Sequence, residues 1–112
     1  MGLERINQVL AALRGAGFPA RRGFLSDKMP CLTDISAVVS LYEDAAKGVT
    51  VVTTIYAPAK LGGIACEDAG VRALAALRQL GADCTLQWCS FETTTGLFSM
   101  ELLALFAAEK AE

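Results

Sequence analysis

Apolar positions recur along this chain with two different periods, and the switches between them mark its elements. Leu3, Ile6, Val9, Leu10 and Leu13 return at three- and four-residue steps, with Glu4, Arg5, Asn7, Gln8 and Arg14 between them. That spacing predicts an amphipathic helix over 3–14. Gly15-Ala16-Gly17 stops it, and Pro19 keeps it from resuming. The polar side is not lysine-rich, so the apolar side reads as a core face and not as a membrane anchor. From Phe18 to Asp34 the periodicity vanishes among Pro19, Gly23, Pro30 and scattered charges. This predicts a long connection with a short extended piece around Arg22 to Leu25, and Pro30 biases Met29 towards extended backbone. A connection of this length in a small domain tends to be functional or interfacial.

Period two then takes over. Ala37 to Tyr42 and the β-branched run Val49 to Tyr56 predict two strands, with a turn at 45–48 that makes them an antiparallel hairpin. Pro58 ends the second. Gly62-Gly63 leads into a helix over about 64–80, with Ala65, Val71, Leu74, Ala75 and Leu77 available for one face and Glu67, Asp68, Arg72 and Arg78 for the other. Gly81 is its stop. Cys84 to Phe91 predicts a strand, Thr93-Thr94-Thr95-Gly96 a turn, and Leu97 to Phe106 a last strand. Phe98, Met100, Leu102, Ala104 and Phe106 share one side of it. Its second half is apolar on both sides, as in a central strand or one covered by another subunit. Met, Glu, Leu and Ala keep a helix open as a rival over 100–112. The expectation is one α+β domain over 1–112, in the order helix, loop, two strands, helix, two strands. Its antiparallel sheet has about four strands, with both helices on one face.

Composition narrows the class of function. The chain has 112 residues, 54% of them hydrophobic and 20% charged. A domain of this size hides only about two-thirds of its unfolded surface, so apolar surface is expected to be left for a partner. The net charge of −2 offers no long-range pull on nucleic acid or anionic lipid, and neither is expected as a partner. Arg21-Arg22, with Lys28 nearby, is the one basic cluster; a solvated loop or an inter-subunit contact is its simpler reading. No run approaches the ~20 apolar residues that span a bilayer, and residues 1–16 lack a signal-peptide pattern. A cytosolic protein with reduced thiols is expected.

Candidate chemistry is sparse. Cys31, Cys66, Cys84 and Cys89 form no CxxC pair, and no histidine occurs, so no zinc spacing is present. The five-residue step from Cys84 to Cys89 would send them to opposite faces of a strand. Cys66, near a helix start, is the one thiol whose pKa could be lowered, and it would carry any cysteine-enzyme reading. Glu43-Asp44 and Glu67-Asp68 are chain neighbours and diverge, which suits a turn and a helix start better than acid–base work. Gly62-Gly63 lacks the spacing and lysine of a phosphate loop and reads as a hinge. Trp88 falls in step with Cys84, Leu86 and Ser90, with core packing as its default and an interface anchor as the alternative. No catalytic residue, cofactor or metal is expected. The candidate interaction residues are Arg21, Arg22, Phe24, Lys28, Met29 and Trp88.

The layout resembles small tail proteins of tailed phages and prophages of Gram-positive bacteria. The features that carry this begin with the Leu3-to-Leu13 helix ending in Gly-x-Gly and the loop Gly23-Phe24-Leu25-Ser26-Asp27-Lys28-Met29-Pro30. The valine-rich hairpin follows, then Ile55-Tyr56-Ala57-Pro58 through Gly62-Gly63, Cys66 and the alanine-rich helix, and finally Cys89-x-Phe91 with the last strand. Tail-terminator and tail-completion proteins are the most similar in architecture. The resemblance implies a structural, non-enzymatic subunit that forms a ring, usually a hexamer, at the head-proximal end of the tail tube. It also implies contacts with other tail or head–tail connector proteins, first in the host cytoplasm and then in the virion tail. The chain is short beside larger terminators and leaves little room for their inserted loops. A ferredoxin-like ligand-binding or regulatory domain that dimerises is the alternative, with Gly62-Gly63 as its candidate ligand site.

Overall fold

A computed structural model describes residues 2–23, 34–44 and 48–107. Helix α1 (Gly2–Gly15) buries Ile6, Val9, Leu10 and Leu13, while Leu3 at its start stays exposed. It closes with Gly17 at φ +94, the amide of Phe18 donating to the carbonyl of Leu13 and that of Gly17 to Arg14. This paired closure satisfies carbonyls the helix end would otherwise leave open and needs a residue that tolerates positive φ. The chain turns back as β1 (Ala20–Arg22), then runs through β2 (Ser36–Asp44) and β3 (Gly48–Pro58). A short 3-10 turn (Ala59–Leu61) and helix α2 (Gly63–Arg78) follow, then β4 (Asp83–Leu86), β5 (Ser90–Glu92) and β6 (Leu97–Ala107).

The class is the expected α+β, but the sheet is mixed and has six strands, not four antiparallel ones. Two differences account for this. The short extended piece lies at 20–22 and joins the sheet, pairing in parallel with β2. The single strand expected over 84–91 is broken in two, and both halves pair with β6, giving the order β1-β2-β3-β6-β4 with β5 beside β6. The hairpin of β2 and β3 is antiparallel as expected. Residues 97–107 are strand and not helix, and β6 is a central strand between β3 and the β4–β5 edge.

Both helices cover one face of the sheet. Beneath them lie Ala37, Val39, Val51, Ile55, Leu102, Ala104 and Phe106, packed with the α1 residues and with Ala69, Ala73 and Leu77 of α2. The buried stripe of α2 is Cys66, Ala69, Gly70, Ala73 and Leu77, whereas Val71 and Ala75, expected inside, point to solvent. Small residues win that face because the helix lies close to the sheet. A Cβ at Gly70 would sit 3.0 Å from the sulfur of Met100 and 3.4 Å from Leu86. Arg72 caps the layer by stacking over the ring of Phe18, 4.8 Å from its centroid.

Candidate functional site

No described element packs on the other face of the sheet. Alternation in β3 alone shows it: Val49, Val51, Thr53, Ile55 and Ala57 are buried, and Thr50, Val52, Thr54 and Tyr56 between them are half-buried. Register carries this side chain row across the strands. Ser40, Val52, Leu103 and Thr85 form one row; Arg21, Val38, Thr54 and Glu101 form the next. Val38, Val52, Leu103 and Leu105 thus make an apolar stripe over three central strands, flanked by Arg21 at one edge and Glu101 towards the other.

The β4–β5 edge carries a β-bulge. Leu86 pairs with Leu102 and Ser90 with Ser99, so residues 87–89 oppose only Met100 and Glu101. The amide of Gln87 still donates to the carbonyl of Glu101 at 2.8 Å, and the extra residue follows. One added residue reverses the side-chain parity beyond it. Cys84 and Leu86 face the helices; so does Cys89, which packs against the cluster of Ala57, Cys66 and Met100. The expectation that Cys84 and Cys89 lie on opposite faces fails for this reason.

The same reversal throws Trp88 outward. It is 86% exposed, so the core role taken as its default is wrong. With Thr54, Gln87, Ser90, Ser99, Glu101 and Leu103 it lines an open concavity of about 340 Å³ on the uncovered face. Tyr56 lies on this face too, and burial pushes its phenol pKa up. A hydrogen bond with Thr54 pulls it down, Glu101 raises it, and the charge of Arg21 lowers it.

Of the expected interaction residues, Arg21 and Trp88 therefore lie on the same surface, at opposite edges of the open sheet. Arg22 is exposed but belongs to the register row of Val39 on the helix side. Phe24, Lys28 and Met29 lie outside the described residues, as does Cys31. Gly62 takes φ +85 at the start of α2, the hinge role expected of it. Cys66 is fully buried and its thiol is pushed up to about 12, first by burial and then by the neighbouring Cys89. That is opposite to the lowered pKa a nucleophile needs.

A second apolar patch lies on the helix layer, and the sequence reading missed it. Ile64 is 77% and Val71 57% exposed, seven residues apart on one side of α2. Nothing in the periodicity marks these two, because the alanine-rich helix offers several equivalent apolar stripes. No helix is long and apolar enough to cross a membrane, and no cluster of three metal-ligating side chains occurs among the described residues. No family model, curated protein or solved structure matches the chain.

Proposed function

We propose that the protein is a structural assembly subunit that associates head to tail with copies of itself. The open sheet face of one protomer receives the α2 surface of the next. The observation that carries this is the pair of unlike apolar surfaces on opposite layers, Val38-Val52-Leu103-Leu105 with Trp88 on one side and Ile64-Val71 on the other. Two different patches that fit one another build a ring when the rotation closes. An exposed tryptophan beside an apolar stripe is the usual centre of binding energy in such a contact. Charge frames both patches, with Glu67 and Asp68 between Ile64 and Val71 and with Arg21 and Glu101 flanking the sheet stripe, as in a rim around an apolar centre.

Together with the resemblance drawn from the sequence, this makes the ring a phage or prophage tail component, of the terminator or completion type. In that role the protein does no chemistry. It ends tube growth and presents a surface to the head–tail connector. Electron microscopy of tail tubes polymerised with and without the protein tests the role. Tubes capped by a ring and arrested in length are expected; tubes that elongate unchanged, with no ring at either end, would overturn it.

A further inference from the structure

The bulge brings together two thiols that lie 23 residues apart in sequence. Cys66 sits in the first turns of α2, fully buried, and Cys89 lies half-buried on the helix-facing side of the bulge. The sulfur of Cys89 is 4.0 Å from the carbonyl oxygen of Gly63, which stands one turn before Cys66 on the same side of α2. Both thiols pack in one small cluster with Ala57 and Met100. Such an arrangement holds a sulfur pair at the edge of the sheet, with the partly exposed member outermost.

We propose that Cys66 and Cys89 are a disulfide-forming modification site, closed by exchange with a low-molecular-weight disulfide such as oxidised glutathione, and that closure staples the Trp88 bulge to α2. The partly exposed Cys89 reacts first. Its thiolate attacks one sulfur of the small disulfide, forming a mixed disulfide and releasing one small thiolate. Cys66 then passes its proton to the small thiolate released first and attacks the Cys89 sulfur beside it, expelling the second small thiolate. Its raised pKa makes this the slow step, which the intramolecular contact offsets. Two protein thiols are oxidised and one small disulfide is reduced to two thiols. Because Trp88 precedes Cys89 directly, the bond fixes the backbone that presents the indole.

The test treats the folded, reduced protein carrying Cys31→Ser and Cys84→Ser with oxidised glutathione, and maps the products by peptide mass spectrometry. A Cys66–Cys89 disulfide is expected, with a rise in Tm of about 10 °C from closing this loop. In a Cys66→Ala variant the reaction should stop at a glutathione adduct on Cys89. Emission from Trp88, the chain's one tryptophan, should fall when the adjacent bond closes and recover on reduction. A stable adduct on Cys89 with Cys66 still free, no reaction at either thiol, or a bond that leaves Tm unchanged would each overturn the proposal. Mass reports the bond and sedimentation reports association, so this site and the assembly reading stand or fall separately.

Discussion

Among the described residues, Thr53 is the polar side chain that the core holds at a cost. It is fully buried on the helix-facing side of β3, and its Oγ1 has no hydrogen-bond partner. Replacing it with valine keeps the shape and removes the desolvated hydroxyl, so Thr53→Val should stabilise the fold by about 1 kcal/mol in urea denaturation. Cys66 makes a second residue-scale prediction, with its sign fixed by linkage. Its folded pKa stands at about 12 against an ordinary 9.0, so the folded chain keeps a proton that the unfolded chain gives up. The contribution is whole below pH 9 and is lost as pH rises towards 12. Unfolding free energy measured across that window should fall, and less steeply in Cys66→Ala. Trp88 is the opposite kind of residue, exposed and without a core role. Trp88→Ala should shift stability by no more than about 0.5 kcal/mol and weaken self-association by about tenfold or more.

At the scale of elements, α2 and the β4–β5 edge decide the architecture. The helix sits close enough to β6 that the space at Gly70 is already filled by Met100. Gly70→Val should destabilise by about 2 kcal/mol through overpacking, read by thermal or urea unfolding. These same elements mark where the sequence was legible. Strong periods gave α1, the β2–β3 hairpin and β6, because Ile6-Val9-Leu13 and the alternation through 49–57 commit each segment to one face. The stripe of α2 was not legible: Cys66, Ala69, Gly70 and Ala73 have too little hydrophobic contrast with Ala65, Val71 and Ala75 for periodicity to choose between them. The bulge was hidden for another reason. Cys84 to Phe91 is uniform enough to read as one strand, and the extra residue at 87–89 shows only in its pairing with β6. That single residue turns Trp88 out to solvent and Cys89 to the same helix-facing side as Cys84. Arg21 and Trp88 could be singled out by residue type, but their lying on one face depends on a parallel β1 that three residues cannot announce.

For the whole molecule, the two layers are unequal in what they leave open. Helices cover one side of the sheet, no described element covers the other, and the helix layer keeps an apolar patch of its own at Ile64 and Val71. Under the proposed head-to-tail association, such unlike surfaces close a ring or extend a filament. Closure is what the proposed tail-ending role requires. A face-to-face dimer through the sheet alone would use one patch and leave α2 unexplained.

Native mass spectrometry of surface variants, alone and mixed, tests head-to-tail association most directly. Leu103→Glu spoils the sheet face, and Ile64→Glu spoils the helix face. The wild-type chain is expected as a closed ring and each variant alone as a monomer. Their mixture should give a one-to-one heterodimer, since each retains the surface the other lacks. A monomeric wild type, or a dimer abolished by Leu103→Glu but untouched by Ile64→Glu, would contradict the account.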